Sequence, residues 1–270
     1  MTRSIIAYMT FKEALYGKVL WLALFFAGLL VTFTYLLSRF IHTDDMNTIY
    51  KLLVDGGLTI YSLGLFMIAI FFSFQSASSD KKNQTLLLSL AMPIRRRDYL
   101  FGKFIGVALI LAVVALLFYS VLGITLQLFL QHEAELVGRA MISGWLPKLT
   151  QACLGTYLAA VLQGLWTLGL SLLLDTEFLM IFLAFCIWGL GSLSQDWVHL
   201  AEHLPGWQSF VPLLLFHVLP DYASLNYLSE TAYQIQLPWS ELGIHFVYAL
   251  AYAMVLWTLL SLALDRKDIF

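Results

Sequence analysis

Long apolar runs separated by short polar stretches make up most of this chain. Charge-free or nearly charge-free segments extend from Val19 to Ser38, Gly56 to Phe74, Phe104 to Leu130, Leu149 to Leu174, Phe178 to Leu193 and Leu242 to Leu264. At about 1.5 Å per residue, most are long enough to cross a hydrocarbon layer of about 30 Å as helices, the form that satisfies every backbone group internally. The fifth run is short and contains Gly189 and Gly191, so a tilt, local thinning or a re-entrant end is expected there. The pattern predicts an all-α polytopic membrane protein with six transmembrane helices in a single domain, residues 1–270.

Three further elements lie outside the spans. Residues 1–18 mix Ile5, Ile6, Met9, Phe11 and Leu15 with Lys12 and Glu13, only weakly amphipathic. The reading is an interfacial helix on the headgroups, with Lys12 and Lys18 reaching anionic lipid. The first apolar run is too long for a signal-peptide core and stays as an anchor. The segment 194–240 holds Trp197, Trp207 and Trp239, several tyrosines and four prolines, a composition suited to headgroup level. Within it, the run Phe210 to Leu219, split by Pro212 and closed by Pro220, is too short to cross and reads as a re-entrant or surface-lying helix. Phe210, Pro212, Phe216 and Pro220 are candidates for an outer gate.

The third element lies between spans two and three. A polar start (Gln75 to Lys82) leads to the leucine-rich stretch Leu86 to Met92, then Pro93, Arg95, Arg96, Arg97, Asp98 and Lys103. Ser79 or Asp80 is an expected N-cap, and Pro93 ends the helix after about 13 positions or 20 Å, too short to span. Its leucines are too many for a solvated loop and must pack on lipid, on helix ends or in a partner's groove. An ordinary interfacial turn with stop-transfer arginines is the plainer alternative.

Composition agrees: 60% of residues are hydrophobic and 12% charged, with a mean hydropathy of +0.82, against about a quarter charged in soluble domains. Two hundred and seventy residues leave no room for a nucleotide-hydrolysing domain beside six spans, so any energy source belongs to another chain. Nucleic acid binding gets no support. Charge sets orientation: with both ends inside, eleven Lys and Arg lie on the inner side against Arg39, Lys51, Arg139 and Lys148 outside. This places residues 75–104 on the cytoplasmic face, within reach of a soluble partner.

Chemistry is sparse. Cys153 and Cys186 fall inside spans without metal-binding spacing and read as buried thiols. His199-Leu200-Ala201-Glu202-His203 fits an inverted zinc-peptidase motif, but Pro205 cuts the helix short and no third ligand follows; a short amphipathic helix is the simpler reading. His245 reads as an interfacial hydrogen-bonding residue and not a proton relay. Gly102 and Gly106 have the spacing of close helix packing, and Asp175 and Glu177 read as solvated turn residues. No paired broken helices mark a secondary transporter.

The string Thr85-Leu86-Leu87-Leu88-Ser89-Leu90-Ala91-Met92-Pro93-Ile94-Arg95-Arg96-Arg97-Asp98-Tyr99-Leu100-Phe101-Gly102-Lys103 resembles the first cytoplasmic loop of type-2 ABC transporter permeases, with their Thr-Leu…Leu-Leu…Pro-x-x-Arg…Gly-Lys pattern. The layout is similar over nearly the whole chain. The stretch Phe216 to Asn226 looks like that of the subgroup containing the nitrous-oxide-reductase maturation permease. The chain departs from the family in offering Asp80 and Gln84 where Glu and Gly are frequent, and Leu87 where an acidic residue is common.

The resemblance implies that residues 1–18 are an elbow helix and residues 79–93 a coupling helix received by a cleft on an ATP-binding subunit. Lys81, Lys82, Gln84, Thr85, Leu86, Leu88, Leu90, Met92, Pro93, Arg95, Arg96 and Arg97 would then form the contact. It further implies a non-catalytic permease of an exporter in a bacterial inner membrane, both termini cytoplasmic, paired with a second copy or a paralogue. No cofactor is expected on this chain, and ATP and Mg would sit on the partner. The alternatives are a mechanotransmitting permease acting on a periplasmic protein without moving solute and, more remotely, a membrane zinc peptidase.

Overall fold

The structure, a computed structural model, describes every residue except 1, 18, 41–45, 83–95, 133–143, 205, 234, 236–237 and 267–270. Among the described residues all regular structure is helical: α1 Thr2–Tyr16, α2 Val19–Phe40, α3 Met46–Lys82, α4 Arg96–His132, α5 Trp145–Leu173, α6 Glu177–Ser192, α7 Ser194–His203, a 3₁₀ turn Gly206–Ser209, α8 Phe210–Val218, α9 Leu228–Ala232 and α10 Trp239–Arg266. Five of them, α2, α3, α4, α5 and α10, are long and apolar enough to cross a membrane. Together α6 and α7 form a sixth apolar unit, bent by 64° at the break after Ser192. The short fifth run is thus a broken span or a re-entrant loop.

Helix α5 is the hub, packed against α3, α4, α6 and α10, while α1 lies against α4 and α2 against α3. Leu58, Leu65, Ile68, Leu100, Val107, Leu111, Leu122, Ala152, Ala160 and Leu165 are fully enclosed along this seam. Rows of exposed leucine, phenylalanine and valine on α2 and α10 face outward. In a bilayer such a surface is not a fault, because lipid tails are as apolar as leucine.

Two boundaries differ from the sequence expectation. Helix α3 starts ten residues before Gly56, at Met46, and runs through Lys51 and Asp55, which as charged residues suggested a loop. It persists because Tyr50, Leu53, Val54 and Leu58 repeat at helical spacing and all point inward. At its other end α3 continues to Lys82, so Ser79 and Asp80 lie in its closing turns and neither caps the start of a new helix. Pro212 does not split the run 210–219 either. It occupies the first turn of α8, where a missing N–H costs nothing, and the helix ends before Pro220.

Helix α1 buries small residues: Ala7, Thr10 and Ala14 face α4, while Ile5, Tyr8 and Met9 are exposed. Close approach explains the choice. A Cβ at Gly106 of α4 would lie 2.6 Å from the Thr10 Cβ, so the glycine is required for contact, as its spacing with Gly102 suggested. Gly106→Leu is expected to detach α1 and lower stability by about 1–3 kcal/mol, read as a fall in the thermal midpoint of the detergent-solubilised chain.

Candidate functional site

At the bundle end where α3 stops and α4 starts, three helices meet in an ionic lattice centred on a buried lysine. Lys103, one turn after Tyr99 on α4, is only 5% exposed. Its Nζ lies 2.8 Å from Asp80 Oδ2 of α3 and 3.8 Å from Glu13 Oε2 of α1. It donates to the Ser76 carbonyl at 3.1 Å and to Ser76 Oγ at 2.9 Å. Contacts to Asp80 and to both Ser76 oxygens match the three donors of an ammonium. The Tyr99 hydroxyl donates a short hydrogen bond to the same Asp80 oxygen, and Ser79 Oγ donates to Glu13 Oε1 at 2.9 Å. Within the same turn of α3, Ser78 Oγ donates to Glu177 Oε1 at 3.2 Å, which ties the first residue of α6 to the same corner.

The lattice flanks the 83–95 segment on both sides, so it fixes the two helix ends from which that segment hangs. Of the expected contact residues, Lys81 and Lys82 lie in the last turn of α3, Arg96 begins α4, and Arg97 is exposed in its first turn. Gln84, Thr85, Leu86, Leu88, Leu90, Met92, Pro93 and Arg95 lie outside the described residues. Sequence reasoning counted Lys103 among the cytoplasmic charges and missed its burial. The available signal was its spacing of four from Tyr99, which puts a cation and a phenol on one helix face.

The opposite end is closed by the chain between α8 and α9. The backbone of Tyr222 donates to the Gly191 carbonyl at 3.2 Å, and a Cβ on Gly191 would come within 2.7 Å of the Pro220 carbonyl oxygen. The Tyr222 ring enters the bundle and donates at 2.7 Å to Gln163 Oε1, and Gln163 Nε2 donates at 2.8 Å to the Ala184 carbonyl. Helix α10 holds the same connection through His245, Tyr248 and Tyr252, spaced along one face. Tyr227 shares a short hydrogen bond with His245 Nδ1, Asp221 N–H donates to Tyr248 at 2.9 Å, and Tyr252 donates to the Val218 carbonyl at 2.8 Å. Burial, aided by Glu241 and Glu230, pushes the Tyr227 phenol up to about 12, so it stays neutral at physiological pH.

The expected gate residues differ in exposure. Pro212 and Pro220 are buried, Phe216 is half-buried against His217, and Phe210 is exposed at the start of α8. The two histidines of the zinc-like motif are exposed on α7; His203 Nδ1 bonds its own helix at the His199 carbonyl, 2.9 Å away, and His199 Nδ1 is 3.9 Å from Glu202. Among the described residues no three His, Cys, Asp or Glu side chains are grouped as metal ligands.

Crossing helices with lipid-facing exteriors and an ionic corner at one end define a multi-pass membrane protein. The ABC-2 family transporter protein model matches residues 5–268, nearly the whole chain, and the chain belongs to that family of transporter permeases. No curated protein matches it.

Proposed function

We propose that this chain is the membrane subunit of an ATP-driven ABC exporter, with the segment between α3 and α4 docking an ATP-binding subunit on the cytoplasmic side. The Lys103–Asp80–Glu13 lattice carries this reading. A force applied to the 83–95 segment reaches α3 and α4 first; a buried charge pair joins those two helices, and the longer, half-exposed Lys103–Glu13 contact adds α1. Separating a buried pair costs several kcal/mol for each charge left enclosed without its partner, so the helix ends respond as one body. Helices α3 and α4, 37 residues each and roughly 55 Å long, then carry the displacement to the far end. Two copies, or one copy and a paralogue, would form the pathway, and ATP with Mg would bind to the partner.

Side-specific labelling tests the orientation on which this depends. A Lys81→Cys variant, with Cys153 and Cys186 replaced by alanine, is expected to react with an impermeant maleimide in inside-out vesicles and to stay unreactive in intact cells. Reaction from the outside would overturn the assignment. Coupling is tested by reconstituting the permease with its co-purifying ATPase, where hydrolysis should rise on assembly and this chain alone should show none.

A further inference from the structure

At the bundle end remote from the 83–95 segment, α3, α5, α6 and the connection between α8 and α9 line an open cavity of about 250 Å³. None of its lining residues carries a charge. One wall is aromatic: the Phe66 ring centroid lies 5.3 Å from that of Trp188 and 5.5 Å from that of Tyr222. The other walls carry the Asn226 amide, whose oxygen accepts from the Leu228 N–H at 3.1 Å and whose NH2 is a donor, and four hydroxyls that share one property. Thr59 donates to the Asp55 carbonyl at 2.8 Å, Ser62 to that of Thr59 at 3.0 Å, Thr156 to that of Ala152 at 2.9 Å, and Ser192 to that of Trp188 at 2.8 Å.

A hydroxyl has one proton and two lone pairs. All four have committed the proton to their own helix, so each offers the cavity only acceptor capacity. Tyr222 has likewise given its proton to Gln163. An aromatic wall facing a row of lone pairs is complementary to a group with a flat apolar side and hydrogen-bond donors on its edge. A carboxylate would meet four hydroxyl lone pairs with like partial charge, against the single neutral amide donor of Asn226. An ammonium would lose its hydration with no lining carboxylate to replace it.

We propose that this cavity is a binding site for an uncharged amphiphilic group bearing hydroxyl or amide donors and an apolar face. Water fills the row of acceptors adequately but solvates the aromatic wall poorly, so a ligand that satisfies both displaces it with gain. The proposal concerns the end of the molecule away from the docking segment and does not depend on which subunit binds there.

Protection of an introduced thiol tests it. In lipid nanodiscs, with Cys153 and Cys186 replaced by alanine, Ser192→Cys places a maleimide target in the cavity wall, and Leu200→Cys on the exposed face of α7 serves as control. Phenylethanediol is expected to slow labelling at position 192 in a saturable way and to leave position 200 unaffected. Its dimethyl ether, mandelate and protonated phenylethanolamine should protect at least about tenfold more weakly, since each leaves acceptors unpaired or brings an uncompensated charge. Thr156→Val, which removes one acceptor at nearly constant volume, should raise the half-protecting concentration of the diol by about tenfold. Absence of protection by the diol, equal protection by the ether or either charged analogue, or an unchanged response in Thr156→Val would overturn the assignment.

Discussion

Serine in place of Leu86, Leu88 and Leu90 together will abolish association with the ATP-binding subunit while leaving membrane insertion intact. Each leucine buried in a partner's groove contributes about 1.5–3 kcal/mol, so the triple change removes about 4–9 kcal/mol, or roughly three to six powers of ten in affinity. Insertion is unaffected because the apolar spans on either side are untouched and serine suits a solvated loop. The measurement is co-purification of the tagged permease with its ATPase from native membranes, with the variant's yield and monodispersity as control. Retained association would remove the docking assignment.

Lys103→Met is the second change expected to have a large effect. It deletes the cation that Asp80, Ser76 and Glu13 converge on, while the largely enclosed Asp80 carboxylate still accepts from Tyr99. Removing one partner of a buried pair costs about 3–5 kcal/mol, more than the loss of any exposed ion pair. The thermal midpoint in detergent should fall sharply, and ATPase stimulation should be lost even where the folded fraction is recovered at low temperature. Adding Asp80→Leu to Lys103→Met should restore much of the stability, because no buried charge then remains unpaired, but not the stimulation. If the double variant is no more stable than the single one, the lattice is not the source of the effect.

The spans were legible because hydrocarbon imposes a simple rule. Val19, Trp145 and Trp239 begin helices close to where the apolar runs begin, and the shortness of the Phe178–Leu193 run anticipated the break after Ser192. Charge misled the reading of α3. Lys51 and Asp55 suggested a loop, yet one helix face decides, and there Tyr50, Leu53, Val54 and Leu58 outweigh them. The inner face of α1 was hidden for the opposite reason: Ala7, Thr10 and Ala14 are not a conspicuous apolar stripe, and their fit is defined by a glycine far along the chain. Two polar networks, Lys103 with Asp80 and Glu13, and Gln163 with Tyr222, were illegible because each joins residues whose separation in sequence carries no period.

The small-residue face of α1 also constrains biogenesis. Its main packing partner, α4, is synthesised roughly one hundred residues later, which at 5–20 residues per second leaves the first helix without its berth for about 5–20 s. During that interval it must rest on the membrane surface or on an insertion factor. A ribosome stalled shortly after Gly106 has emerged should be the earliest point at which crosslinks between Thr10 and the nascent third span appear.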